Sequence, residues 1–322
     1  MDIKEKNVMK TILVAGGAGF IGTNLTKRLI NDGHEVICVD NFFTSNRENV
    51  ETIKSDNLTL IQHDICEPLN IEDKIDEIYN LASIASPPHY QKYPIETIKT
   101  NIHGLFNLLD LSVKNDAKLL QSSTSEVYGE PLEHPQKETY WGNVNPNGLR
   151  SCYDESKRCG ESICFNYNRE YGTKIKVVRI FNTYGPYMDP KDGRVVTNFI
   201  IQALKNKDIT IYGDGLQTRS FCYVDDMVEA LIKMMNTPEG FTGPVNLGNP
   251  GEFTILEFAK MVIKKTNSKS KIINCPPLED DPTQRKPDIT LAKEILNWKP
   301  KIMLDEGIDK TIEYYKKIIN PS

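Results

Sequence analysis

The chain has 322 residues, 39% of them hydrophobic and 26% charged, and its 39 basic and 44 acidic side chains leave a net charge of −5. Enough apolar material for a packed core excludes disordered, collagen-like and coiled-coil classes, and the lack of a basic tract argues against a nucleic-acid partner. The length suggests about two domains, or one large α/β unit with an appendage.

At the start, Lys4, Lys6 and Lys10 precede an apolar stretch in the manner of a signal peptide, but the glycines at 16, 17, 19 and 22 interrupt it and no cleavage pattern follows. The uncharged run between Lys10 and Lys27 is short for a bilayer span and holds Thr and Asn, so neither membrane anchor nor export is expected. Short β-rich runs at 11–15, 35–39, 58–61, 77–81, 118–121 and 175–180 read as strands, several of them nearly continuous apolar runs suited to parallel strands covered on both faces. Between them, 20–31 carries Ile21, Leu25, Leu29 and Ile30 at helical spacing with Gly33 as the stop, and a long helix is expected at 152–171. Strands alternating with helices imply an α/β fold with a doubly wound parallel sheet.

After Ile180 the texture changes to Pro/Gly-punctuated loops at 182–194, 212–218, 248–252 and 276–288, with helical patterns at 195–204, 226–235, 254–266 and 304–319. Asp225 or Asp226 is expected to cap the helix that begins at Met227. The expected division is a Rossmann-type domain at 1–181, to which some later segments return, and a smaller C-terminal lobe occupying most of 182–322. Seven scattered cysteines without a CxxC read as reduced thiols of a cytoplasmic-type compartment, and five isolated histidines suggest no metal site.

The sequence Gly16-Gly17-Ala18-Gly19-Phe20-Ile21-Gly22 follows a strand and opens a helix, the context that makes a glycine pattern a phosphate-site candidate rather than a glycine-rich turn. Gly16 permits the turn, Gly19 lets backbone approach a pyrophosphate, and Gly22 lets the helix pack closely; the helix N-terminus supplies N–H groups and the positive dipole end. Asp40, closing the second strand, suits the two ribose hydroxyls of adenosine and would repel a 2′-phosphate, which favours NAD. Arg47 is close enough to leave NADP open, and Asp40 could simply be a strand-end turn former. Asp64 and Ile65 follow the third strand, near the adenine or in plain turn chemistry.

Tyr153 and Lys157 stand four apart in an expected helix, so both project from one face; the second such pair, Tyr187 and Lys191, falls in a Gly/Pro loop. Bringing a phenol from about 10 to about 7 requires roughly 4 kcal/mol, and an ammonium about 4 Å away supplies roughly that at an effective dielectric near 20. Ser122-Ser123-Thr124-Ser125-Glu126 follows the fifth strand at the sheet's carboxyl edge, where hydroxyls and a carboxylate can bind a sugar hydroxyl and assist proton transfer, or merely cap the strand.

In this order GGAGFIG, STSEVYG and YxxxK resemble the extended short-chain dehydrogenase/reductase superfamily of nucleotide-sugar enzymes. LASIASPPHY, EVYGEPLEHPQKETYWGNVNPNG, RSCYDESKR, RIFNTYGP, DGRVVTNFI, QTRSFCYVDDMV, VNLGNPGEFTILE and DDPTQRKPDIT extend the resemblance to the UDP-glucuronate decarboxylase (UDP-xylose synthase) family, spread from about Lys10 to Lys310. The resemblance implies a nucleotide-sugar-binding role for the second lobe, a homodimer built on helices at about 95–114 and 152–171, and NAD held by Gly16, Gly19, Phe20, Ile21, Gly22, Asp40, Asn41, Asp64, Ile65, Leu81, Ser83, Tyr153 and Lys157. Tyr153 would be the base at the sugar O4, Lys157 its partner, Thr124 a hydrogen bond to O4, and Glu126 with Ser125 the residues that position the sugar and aid proton movement. UDP-glucuronate would be met by Pro88, Tyr90, Lys99, Asn182, Arg194, Asn198, Tyr212, Gln217, Arg219 and Arg285, with Lys99 or Arg285 facing the carboxylate and Arg285 alternatively the diphosphate. Two positions depart from the family: Ile84 within its SPASPP-like loop, and Tyr187 where a basic residue is usual near the substrate lobe. An epimerase or 4,6-dehydratase uses the same pair, and a non-catalytic NAD-binding regulator would not need it.

Overall fold

The computed structural model describes residues 8–277 and 282–319; Lys4, Lys6, Asp280 and Asp281 lie outside that range. Seven parallel strands form the central sheet in the spatial order Val245–Leu247, Ile175–Ile180, Lys118–Thr124, Glu77–Asn80, Thr11–Ala15, Glu35–Asp40, Leu58–Gln62. Along the first strand Ile12 and Val14 join one apolar core while Leu13 and Ala15 join another, the period-two alternation of a strand covered on both faces. One face is closed by the helices Phe20–Asn31 and Val224–Met235, the other by Pro94–Asn115 and Ser151–Tyr171. This is the doubly wound Rossmann-type sheet expected from the alternation of patterns.

The chain runs outward from Thr11–Ala15 through Glu35–Asp40 to Leu58–Gln62, then crosses back to place Glu77–Asn80 on the opposite side of the first strand. Strand order reverses there, and the carboxyl ends of such a switch point leave a crevice for ligands. The loops carrying Gly16 and Leu81 meet in it.

Beyond Ile180 the chain builds three small sheets and the helices Val195–Leu204, Ile255–Thr266 and Leu304–Ile319, but Val245–Leu247 returns to pair with Ile175–Ile180 at the edge of the large sheet. The stretches 182–194 and 276–288, read as loops, contain the two-residue strands Thr183–Tyr184 and Gln284–Arg285. Gln284–Arg285 pairs with Thr218–Ser220, Arg285 opposite Arg219. The helix expected from Met227 begins at Val224, so neither aspartate caps it. Asp225 and Asp226 sit in the first turn, and the Asp226 carboxylate accepts the Lys301 and Ile302 backbone N–H groups at 2.9 and 2.8 Å. Thr254 does cap its helix, in a reciprocal capping box with Glu257. Among the described residues no helix is long and apolar enough to cross a membrane.

Candidate active site

Gly16 lies at φ +75°, and a Cβ there would come within 2.7 Å of the Ala82 nitrogen; a Cβ at Gly22 would stand 2.1 Å from the Gly16 carbonyl oxygen. The first turn of the helix therefore packs directly on the turn that leaves the strand. Gly19 caps that helix without any side-chain hydrogen bond, which leaves its N-terminal N–H groups facing the crevice. Asp40, at the next strand end, accepts the Ala18 N–H at 3.0 Å, the Phe42 N–H at 2.9 Å and the Ser45 hydroxyl at 2.8 Å. It is thus both the turn former and a carboxylate with acceptor capacity left for a ribose. Arg47 is spent on Glu51 and the Gln62 amide oxygen, on the exposed surface.

Two confluent depressions lie here. The larger, about 380 Å³, is lined by Gly16, Gly19, Phe20, Ile21 and Gly22, by Leu81, Ser83 and Tyr90, and by Thr124, Ser125, Glu126, Tyr153 and Lys157. From the second lobe, Asn182, Arg194, Asn198, Tyr212, Gln217, Arg219 and Arg285 also line it. The smaller, about 350 Å³, gathers Asp40, Asn41, Asp64 and Ile65 and shares Gly16, Gly19, Leu81 and Ser83 with the first. Asn41 donates to the Asp64 carboxylate at 3.1 Å, which ties the second and third strand ends together. The Ser83 hydroxyl is buried without a hydrogen-bond partner among the described residues, and it faces both depressions. A buried orphan hydroxyl between a glycine cradle and a strand-end carboxylate fits a dinucleotide.

Two expected substrate contacts lie elsewhere. Lys99 lines the smaller depression with Asp40 and Asp64, away from the hydroxyl-rich end of the cleft. Pro88 does not line either depression; it packs against Gly193, where a Cβ would stand 2.6 Å from its Cγ. Both sit on the helical segment between the fourth and fifth strands, whose direction the motif SPPHY does not reveal.

Tyr153 and Lys157 are buried on one face of Ser151–Tyr171. The Tyr153 ring stacks on Tyr90, centroids 5.2 Å apart and planes 8° from parallel, and Ile84 packs into the same cluster, so one departure from the family pattern shapes the wall behind the phenol. The Lys157 Nζ donates to the Ser122 carbonyl at 3.0 Å and stands 5.8 Å from the Tyr153 ring centre. Burial raises the Tyr153 phenol to about 12, against a side-chain hydrogen bond with Thr124. Burial brings the Lys157 ammonium down to about 8. Moving the phenol from about 12 to about 7 asks for roughly 7 kcal/mol, while one ammonium about 6 Å from the ring centre supplies about 3 kcal/mol at an effective dielectric near 20, so Lys157 alone does not suffice, contrary to the expectation from the sequence. Arg194 also favours the phenolate, and further positive charge must supply the rest.

At the sugar end, Ser125 donates to Glu126 at 3.2 Å and the Glu126 N–H bonds the Thr124 hydroxyl at 3.2 Å. The Glu126 carboxylate also receives Arg150, and Arg285 at 3.2 Å. Burial opposes its charge, but the guanidiniums of Arg285, Arg150 and Arg219 prevail and bring Glu126 down to about 2. It is a fixed anion near neutrality, an acceptor rather than a proton carrier. Arg285, expected as a loop residue, is 1% exposed and donates to the Gly129 carbonyl at 2.9 Å. Arg194 forks onto Asp192 at 2.6 and 2.8 Å. Arg150 and Asp154 were not singled out from the sequence; the signal was an Arg and an Asp four apart, bracketing Tyr153. At Tyr187 a cation returns from another element: Lys27 donates to its hydroxyl at 2.7 Å and lies 4.9 Å from its ring centre.

A parallel sheet with a glycine cradle at its switch point, beside a buried tyrosine and lysine four residues apart, defines a dinucleotide-dependent oxidoreductase-type site of the short-chain dehydrogenase/reductase kind. Residues 12–248 match the model of the NAD dependent epimerase/dehydratase family, and the chain belongs to that family, whose cofactor is NAD. It is 52% identical over 316 residues to UDP-glucuronic acid decarboxylase 1 of Danio rerio, covering 98% of this chain and 74% of that protein. It is 51% identical over 311 residues to UDP-glucuronic acid decarboxylase 3 of Arabidopsis thaliana, covering 96% and 90%. Among solved structures, UDP-glucose 4-epimerase of Thermotoga maritima with UDP-glucose superposes with a TM-score of 0.87 at 32% identity, over 96% of this chain and all (100%) of that one. UDP-glucuronic acid 4-epimerase of Bacillus cereus, in complex with UDP-glucuronic acid and NAD, gives 0.86 at 28% identity, over 96% and 99%.

Proposed function

We propose that this chain decarboxylates UDP-glucuronate to UDP-xylose and CO2 through a UDP-4-keto sugar. The observation that carries the reading is near-full-length identity of 52% with UDP-glucuronic acid decarboxylases, joined to a buried arginine cluster beside Tyr153. Bound NAD supplies a reversible hydride acceptor and the further positive charge that the Tyr153 phenol requires.

The placement of this chain's residues supports the following roles. Gly16, Gly19 and Gly22 leave room for the pyrophosphate, Asp40 takes the adenosine ribose, and Ser83 hydrogen-bonds the dinucleotide. Tyr153, held by its stack on Tyr90 and its bond with Thr124, removes the proton from the sugar O4 and later returns it. Lys157 favours the phenolate and would hold a ribose hydroxyl of bound NAD. Glu126 accepts a sugar hydroxyl and stays ionised throughout. Once C4 is a ketone the substrate is a β-keto acid: the C5–carboxylate bond breaks, its electron pair passes into an enolate, and CO2 leaves. Arg285 and Arg219 hold the carboxylate before that step and stabilise the enolate oxygen afterwards. A proton then adds at C5 and O4 recovers its own from Tyr153, so the reaction is a lyase reaction without net redox change.

The Bacillus cereus neighbour, solved with UDP-glucuronic acid, supports a second reading in which the carboxylate is retained and only C4 is inverted. Incubating the NAD-loaded protein with UDP-glucuronate and following products by NMR separates the two. CO2 with UDP-xylose supports decarboxylation, UDP-galacturonate supports epimerisation, and turnover of a neutral UDP-sugar alone contradicts both.

The chain is further read as a cytoplasmic homodimer. Seven free thiols suit a reducing compartment, and Ile95, Ile98, Phe106 and Val113 expose apolar surface on Pro94–Asn115, which packs beside Ser151–Tyr171.

A further inference from the structure

We propose that Asp154 is a positioning residue that sets the site's affinity for an anionic sugar, by governing through Arg150 how much positive charge the arginine cluster presents to the substrate carboxylate. The proposal rests on the decarboxylase reading and deepens it.

Asp154 follows Tyr153 and does not line the cleft, whereas Arg150 does. Its side chain is 9% exposed, one carboxylate oxygen stands 3.8 Å from the Arg150 Nε, and the other is buried without a hydrogen-bond partner among the described residues. Arg150 bonds the Glu126 carboxylate at the same time. Glu126 in turn receives Arg285, which lies opposite Arg219 on the paired strand. Among the described residues the cluster thus joins three guanidiniums to two carboxylates that differ in kind. Glu126 is bonded by two arginines and by Ser125 and stays ionised. Among the described residues Asp154 makes a long contact, 3.8 Å, to one arginine.

The groups that face Asp154 are Arg150 and Glu155 of its own segment, Glu126 after the fifth strand, Arg285 of the second lobe, and the phenols of Tyr90 and Tyr153 with the thiol of Cys152. Burial and Glu126 raise its carboxyl to about 7, while Arg150 and Arg285 hold it back. Near neutrality it is shared between its two forms, so the cluster carries one more positive charge when it is protonated than when it is ionised. A second carboxylate brought against the arginines raises Asp154 further, and linkage makes the converse hold: protonated Asp154 favours the anionic substrate. A neutral sugar gains nothing from the proton.

The test is the pH dependence of KM for UDP-glucuronate and of Ki for UDP-xylose, which lacks the carboxylate, measured with the NAD-loaded protein between about pH 6 and pH 8.5. KM is expected to rise about three- to tenfold across that range, the size a single buried charge exerts at second-neighbour distance, while Ki stays within about twofold. Asp154→Asn should remove the slope in KM and hold it near the low-pH value, with kcat keeping its own pH profile; Asp154→Ser serves if the amide does not fold. A KM slope in Asp154→Asn equal to the parent's, a slope of the same size for UDP-xylose, or a flat parent KM overturns the proposal. The absence of CO2 at every pH would instead defeat the decarboxylase reading, so the two failures are distinguishable.

Discussion

Replacing Lys157 by Met removes a cation beside the Tyr153 phenol, leaving Arg194 to favour the phenolate, while nearly preserving the volume of a fully buried stem. At 5.8 Å from the ring centre, the Lys157 ammonium favours the phenolate by about 3 kcal/mol at an effective dielectric near 20. Converted at about 1.4 kcal/mol per unit, its loss moves the acidic limb of the kcat profile, where rate rises with the phenolate fraction, up by about two pH units. Lys157→Met should therefore turn over UDP-glucuronate about 100-fold more slowly near pH 7 and regain roughly tenfold per unit as pH rises. Because burial brings Lys157 itself down to about 8, its charge is present below that value and is lost above it. The parent's advantage should therefore shrink above about pH 8. The assay is initial CO2 release at saturating substrate from about pH 6 to pH 9.5, with bound NAD quantified in parallel. A loss of equal size at every pH, with NAD retained, would refute the electrostatic role and leave Lys157 as a ligand-holding residue only.

Tyr153→Phe should abolish turnover, by at least about 1000-fold, yet retain bound NAD, as cofactor absorbance and product analysis would show. Gly22→Ala puts a methyl 2.1 Å from the Gly16 carbonyl oxygen, so the helix must move off the turn; a loss of about 1–3 kcal/mol and release of NAD are expected by thermal melting and gel filtration. Asp40→Ala leaves the Ala18, Phe42 and Ser45 donors without their acceptor and should weaken NAD at least about tenfold, measured by titration of cofactor-stripped protein. For Asp154 the folded value lies above the unfolded one, so its presence lowers stability progressively as pH rises through that window. Asp154→Asn should then gain a few degrees of Tm near pH 8 and little near pH 4.

The strands from Thr11 to Ile180 were legible because parallel strands covered on both faces write themselves as apolar runs, and Phe20–Asn31 because its apolar spacing ends at Gly33. Val245–Leu247 was not, since three residues carry no periodicity and only the edge of Ile175–Ile180 makes them a strand. The pairing of Arg285 with Arg219 was hidden for the same reason: a two-residue strand is defined by its partner. Spacing placed Tyr153 and Lys157 on one helical face but could not report burial, and burial is what raises the phenol and leaves one ammonium insufficient. The roles of Arg150 and Asp154 depend on Glu126 and Arg285, which are brought to them from distant segments.

The central claim is that a carboxylated sugar is oxidised at C4, loses CO2 and is reduced again at the same carbon by this one site. Incubation of the NAD-loaded protein with UDP-glucuronate deuterated at C4 tests it most directly. The account predicts one CO2 for each UDP-xylose, deuterium retained at C4 of the product, and no net reduction of NAD. UDP-galacturonate with its carboxylate intact, or UDP-xylose whose C4 deuterium has been lost, would contradict it.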